Sequence, residues 1–223
     1  MYDLFFVSYS EPNADENWGL LSERFPHAKR MHGISGIDKA HKACASMSYT
    51  KMFWTVDGDT VVDEEFDFDF EVEPWDRDFI HLWYSRNPIN GLSYGYGSIK
   101  LWPRSVVLAH TDRWTDFTTS FNGLKVIPQT IAETRFNSSP FEAWKSAFRE
   151  CVKLAETLRG NPGDGESRGR LASWTTVFDE GQPFHEYVKL GALDGLAWHA
   201  TSTDVSMIND FTWLESLFAN RIG

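Results

Sequence analysis

The stretch Met52 to Asp59, MFWTVDGD, decides how this chain is read. It is an apolar run with the look of a buried strand, and it ends in two carboxylates either side of a glycine. An apolar strand that stops on Asp-Gly-Asp sets charge at a sheet's carboxyl edge, where open α/β sheets bind ligands. Two such carboxylates offer the hard oxygen donors that suit Mg2+ or Mn2+, and with an ion between them they can hold a diphosphate. The triplet D-x-D occurs three times, at Asp57/Asp59, Asp67/Asp69 and Asp76/Asp78, and a solvated turn is the plain alternative for each. Only the first follows directly on a strand-like run, and a second run, Thr60-Val61-Val62, comes after it.

Working outward toward the amino terminus, Asp38 sits at an N-cap position before a helix through Ala40, Ala43, Cys44 and Met47 that feeds the DGD strand. Ala28 to Ile37 reads as a short strand and turn bent at Gly33 and Gly36, and Asn13 to Arg24 has helical spacing. The first apolar run, Asp3 to Ser8, ends in Ser8-Tyr9-Ser10-Glu11-Pro12. It is either an ordinary strand end or a place where Tyr9 stacks a nucleobase and Ser8 or Glu11 bonds its polar edge or ribose.

Toward the carboxyl terminus, Phe66, Phe68, Phe70 and Val72 alternate with acids over Asp63 to Asp78, which predicts a strand with one buried face and a solvated acidic row. Phe79 to Tyr84 and Lys125 to Thr134 read as further strands. Between them, glycines in Tyr94-Gly95-Tyr96-Gly97-Ser98 precede Ile99 to Arg104, a bulge or a close backbone approach to sugar or phosphate. Ser138-Ser139-Pro140-Phe141-Glu142 has the signature of a helix start, with Trp144, Phe148, Val152 and Leu158 as the helix's apolar stripe. Gly160 to Arg170 holds four glycines and a proline, which predicts an irregular lid or surface insert. A last helix is expected near Trp213 to Phe218.

The chain has 223 residues, enough for one sizeable core, and no linker divides it. Ten tryptophans and seventeen phenylalanines go mainly to packing. Net charge is −11, with residues 1–79 carrying 17 acids against 7 bases and residues 80–170 carrying 12 bases against 8 acids. That mildly basic middle could face a phosphate-bearing partner. Cys44 and Cys151 have no metal-ligand spacing and read as two reduced thiols. The apolar runs fall short of the roughly 20 residues of a membrane helix, and the amino terminus lacks the pattern of a signal peptide. A cytoplasmic protein without a membrane partner is expected.

The strand ending in SYSE, the helix into MFWTVDGD, the glycine turn into SIKLWPR and the late SSPFEAWKSAFRE helix together resemble nucleotide-sugar glycosyltransferases of the GT-A fold, over about residues 1–150. The resemblance implies a single α/β domain with a mostly parallel mixed sheet flanked by helices. Residues 1–110 would be its nucleotide-sugar half and 111–223 its acceptor-side half. It implies donor contacts from Ser8, Tyr9, Glu11, Asp38, Asp57, Gly58, Gly97 and Ser98. A Mn2+ or Mg2+ ion would rest on Asp57 and Asp59, with His199 or His185 completing the site. Glu142 matches the acidic residue that often takes the acceptor's proton, although the usual Glu-Asp pair is Phe141-Glu142 here. SIKLWPR, FNSSPFEAWKSAFREC and INDFTWL are further similar to phage-type sequences associated with modified DNA bases. This implies a UDP-sugar donor, a hydroxymethylated pyrimidine in double-stranded DNA as acceptor, and the host cytoplasm as location. Tyr96 or Trp102 would then stack on the flipped base, while Arg149, Arg159, Arg168 and Arg170 grip phosphates. A nucleotidyltransferase, or a catalytically silent sugar or nucleic-acid binding domain, fits the same carboxylates.

Overall fold

Apolar hexapeptides at Asp3–Ser8 (β1) and Met52–Asp57 (β3) lie side by side in the sheet, parallel with Val7 opposite Asp57. The computed structural model describes residues 1–95, 97–111, 117–121 and 123–223, with the backbone alone at Thr119. The chain forms two units, Met1–Asn87 with Ser93–Arg135 and Pro88–Leu92 with Phe136–Gly223. The break follows Arg135, because the last strand still pairs into the first unit's sheet.

In the first unit α1 (Ala14–Arg24), β2 (Lys29–His32) and α2 (Ile37–Met47) connect β1 to β3. The chain continues through β4 (Thr60–Val62), β5 (Ile80–Arg86), β6 (Ser93–Tyr94), β7 (Ile99–Pro103), α3 (Arg104–Ala109) and β8 (Leu124–Thr134). Among the described residues the strand order is β2-β1-β3-β7-β5-β8-β4, with β6 on β5. The α/β class and mixed sheet expected from the sequence are what forms: β2, β1 and β3 run parallel, as do β5 and β8, and β7 joins the two groups antiparallel. Alternate residues face opposite cores. Leu4, Phe6, Trp54 and Val56 pack with Leu21 of α1, while Phe5, Phe53 and Trp102 pack with Cys44 of α2 and Val107 of α3. Helices therefore cover both faces of this sheet.

The acidic segment after β4 corrects the sequence reading. Phe68 and Val72 are buried and Phe66 and Phe70 pack against the same core, so the alternation did report burial. No strand forms, because Phe68 takes a positive φ of 60° and the segment's carbonyls go elsewhere. The Arg24 guanidinium donates to the carbonyls of Val62, Asp63, Glu64 and Phe66 at 2.8 to 3.2 Å. Asp67 and Asp69 remain exposed, as expected.

The second unit is helical: α4 (Pro140–Gly160), α5 (Gly165–Thr176), α6 (His185–Thr201) and α7 (Phe211–Ile222). Ser139 caps α4 by accepting from the Glu142 N–H at 3.2 Å, with Pro140 at the first position, as its sequence predicts. The glycine-rich stretch expected to be irregular instead enters α5. Asp164 caps that helix through the Ser167 N–H, Arg170 pairs with Glu150 at 2.6 Å, and Trp174 is buried against Phe136. Packing at those points outweighs the low helix propensity of Gly165 and Gly169. Trp144, Phe148 and Val152 form the stripe of α4, with Leu154 rather than Leu158 as the buried residue beyond them. On α6, a Cβ at Gly191 would overlap the Trp144 carbonyl, and one at Gly195 would lie 2.6 Å from that of Phe148. Those glycines let the two backbones touch. No helix among the described residues is long and apolar enough to cross a membrane.

Candidate functional site

Because β1 is followed by β2 on one side and then by β3 on the other, the crevice between β1 and β3 is where the winding of the sheet reverses. Open α/β sheets take ligands outside the carboxyl ends of the strands at such a point. Ser8 to Glu11 leave β1 there, and Asp57-Gly58-Asp59 leave β3 at the same level. The antiparallel register of Val56 with Ile99 brings Gly97 and Ser98 to that edge too, and the Asp57 N–H donates to the Ser98 carbonyl at 2.9 Å. Seven of the eight expected donor residues, Asp57 among them, thus meet with Asp59 at one end of the sheet.

Gly58 permits the closeness. A Cβ there would stand 2.8 Å from Glu11 Oε2 and 2.9 Å from Ser8 Cβ, closer than side chains tolerate. Its carbonyl is fixed by the buried Asn17, whose amide donates to it at 2.9 Å. Glu11 Oε2 accepts from the Tyr9 N–H at 2.7 Å, and Arg135 N–H donates to the Asp59 carbonyl at 2.6 Å. Tyr9 keeps 43% of its surface exposed, so its ring is open to stacking. Ser8 is buried, and its hydroxyl lies within hydrogen-bond distance of His32 Nδ1 (2.9 Å) and of the donating Arg30 Nε (3.2 Å). Asp38 falls in the first turn of α2, where Gly36 takes the N-cap position instead.

Two further residues border the site. Lys100, on β7 opposite Thr55, is buried, donates to the Gly97 carbonyl and stands 3.6 Å from Asp57 Oδ2. His41 of α2 packs its ring 4.7 Å from that of Trp102 and bonds the Ile37 carbonyl through Nδ1 at 2.8 Å. Burial, and then the Lys100 charge, push His41 down to about 3 against the pull of that carbonyl, which keeps it neutral at physiological pH. A sequence signal existed for both: a lysine inside the apolar strand SIKLW, and a histidine on the Ile37, His41, Cys44, Ala45 face of a helix.

Several expected acceptor and metal residues are engaged otherwise. Trp102 is a core side chain, fully buried with its indole N–H on Thr55 Oγ1 at 2.8 Å, which leaves no ring face for a flipped base. Tyr96 lies outside the described residues. In the second unit Arg149 donates to the Ile208 carbonyl and to Asn209, Arg168 to the Pro162 carbonyl, and Arg159 to the His199 carbonyl while pairing with Glu156. With Arg170 on Glu150, the four arginines expected to grip DNA are all tied within the protein. Both His199 ring nitrogens have neighbours there, Glu156 at 2.8 Å and Arg159 at 3.3 Å. His185 sits 3.2 Å from the Gln182 carbonyl. Glu142 forms an ion pair with Lys145 at 2.5 Å.

No protein-family model matches the sequence, and no curated protein does. Among solved structures, the chain is similar to that of a glycosyltransferase involved in the glycosylation of the major capsid of PBCV-1, with a TM-score of 0.38 and 12% identity over 56% of this chain and 82% of that one.

Proposed function

We propose that the chain is a glycosyltransferase that takes a nucleotide-sugar donor at the crevice between β1 and β3 and passes the sugar to a hydroxyl acceptor. The observation that carries this reading is the contact at Gly58, which sets Glu11 and the Tyr9 loop against Asp57-Gly58-Asp59 at the sheet's switch point. Tyr9 stacks on the base, and the Gly97-Ser98 turn borders the diphosphate and sugar.

Asp57 and Asp59 fit Mg2+ or Mn2+. Their donors are carboxylate oxygens, the Asp57 side chain is one-third exposed, and no side chain intervenes at Gly58. Among the described residues no three His, Cys, Asp or Glu side chains form a ready-made metal cluster. That suits an ion of this kind, which is commonly held by one or two carboxylates plus substrate phosphates. Bound there, it would supply charge that stabilises the departing nucleoside diphosphate. The acceptor oxygen attacks the anomeric carbon as the bond to the diphosphate oxygen breaks. The proton released from the acceptor hydroxyl needs a carboxylate base, the role that the sequence resemblance gives to Glu142. The acceptor stays at the level of a hydroxyl group, since Trp102 and the four arginines expected to hold DNA are committed elsewhere.

Incubating the protein with a panel of nucleotide sugars, Mn2+, and saccharide, protein or hydroxymethylated-DNA acceptors, followed by mass spectrometry, tests this. Glycosylated acceptor with free nucleoside diphosphate is the expected result. Sugar nucleotide with pyrophosphate would make it a nucleotidyltransferase, and binding without turnover a silent binding domain.

A further inference from the structure

Three polar groups, two at the start of β7 and one on the helix α2 packed against it, are left short of partners. Lys100 is 2% exposed, and its ammonium has three donors, of which one is hydrogen-bonded among the described residues, to the Gly97 carbonyl. The nearest carboxylate oxygen, Asp57 Oδ2, is 3.6 Å away, an ion pair without a hydrogen bond. Ser98 Oγ, two residues before it, is buried with no hydrogen-bond partner among the described residues, and so is His41 Nε2. Native interiors rarely leave such groups unmet, because each costs the loss of its hydration. A buried ammonium is the most costly of the three.

Their position says what ligand would complete them. An ammonium beside Asp57 would repel a lone cation and attract an anion, whereas the carboxylates of Asp57 and Asp59 do the reverse. A ligand that satisfies both carries negative oxygens together with a divalent ion, as a metal-bound diphosphate does.

We propose that Lys100 is a binding residue for the donor's diphosphate, its ammonium meeting phosphate oxygens with the Ser98 hydroxyl beside it, while Asp57 and Asp59 face the ion that the same diphosphate carries. This rests on the nucleotide-sugar reading above. It also explains the glycine before Ser98. Gly97 has φ of 90°, and a Cβ there would come within 3.3 Å of the Lys100 side chain and press on the ammonium's stem.

The test is calorimetry of uridine, UDP and inorganic pyrophosphate, in EDTA and in Mn2+, with wild type, Lys100→Met and Lys100→Arg. Methionine keeps the buried volume and removes the charge. In EDTA, UDP is expected to bind wild type at least about tenfold more tightly than uridine, and Lys100→Met to lose that gain with uridine unaffected. Lys100→Arg restores most of it. Equal UDP binding by wild type and Lys100→Met overturns the assignment of Lys100 and leaves the donor reading standing. If Lys100→Met does not fold, equal affinities of wild type for UDP and uridine in EDTA overturn it just as well. A wild type that binds neither UDP nor pyrophosphate under any condition brings down the nucleotide-sugar reading itself.

Discussion

The ion pairs of the helical unit contrast with the end of the sheet unit where β7 begins. In the helical unit, charged side chains end on partners: Glu142 on Lys145, Arg170 on Glu150, and Asp194 on the Trp144 indole and Arg221. At the edge of the sheet unit, a buried lysine makes one hydrogen bond, and a buried hydroxyl and imidazole nitrogen make none among the described residues. Satisfied networks hold a scaffold in one arrangement, while unmet groups in a rigid setting keep their capacity for something else. Under the donor proposal the contrast separates a region that holds the scaffold from one that binds, and substitutions can break it from either side.

The largest effect is expected at Asp59. Asp59→Asn removes a charged ligand from outside the core, so transfer should fall about a thousandfold or more, several kcal/mol of barrier, while the melting temperature without ligand stays put. Wild-type turnover in that variant would sink the assignment of the triplet. Next comes Gly191→Ala, which touches no charge. Alanine is worth about 1 kcal/mol more than glycine in a helix interior, but its methyl would overlap the Trp144 carbonyl. A net loss of about 2 kcal/mol and a melting temperature lowered by roughly 4–8 °C are expected. An unchanged or raised melting point would mean that α4 and α6 are not in backbone contact.

His41 links the sheet unit to pH. Folded His41 titrates at about 3 and the unfolded chain's at 6.5, so between those values only the unfolded chain takes up this proton. Its contribution to stability is therefore intact above pH 6.5 and drains away as pH falls toward 3, by on the order of a few kcal/mol. Denaturant titrations between pH 4 and 7 should show a shallower acid limb for His41→Gln, and an identical slope in the variant would exclude His41 as the source. The smallest effects belong to Asp67→Asn and Asp69→Asn. Both side chains are exposed, so stability and activity should stay within about 0.5 kcal/mol of wild type. A large loss of activity there would mean that Asp57 and Asp59 are the wrong D-x-D.

Local chemistry made most of the elements legible. The Ser139-Pro140 start of α4, the bends at Gly33 and Gly36, and the strand that ends on Asp57 all announce themselves within a few residues. What stayed hidden depended on distant partners. Nothing near Phe68 reveals that Arg24, some forty residues earlier, takes the carbonyls a strand would have used. Nothing in GNPGDGESRGR shows that Trp174 and Glu150 hold its second half as helix. The candidate site divides the same way. Ser8, Tyr9, Glu11 and the DGD triplet lie at strand ends, where periodicity points, whereas Trp102 looked available because a ring in a strand does not disclose which face it takes. The arginines near the glycine-rich stretch likewise looked free until their carboxylate and carbonyl partners were known.

The peptide at Gly58 is held by Asn17 on its carbonyl, and Ser8 and Glu11 crowd the place a Cβ would take. A hinge needs room for its dihedrals to change, and this one has none. Any closure over a bound donor must therefore be made by other segments, with the aspartates as the stationary jaw. Donor analogues that differ only near the diphosphate should meet the same unyielding geometry, and discrimination among sugars would fall to the parts that can still adjust.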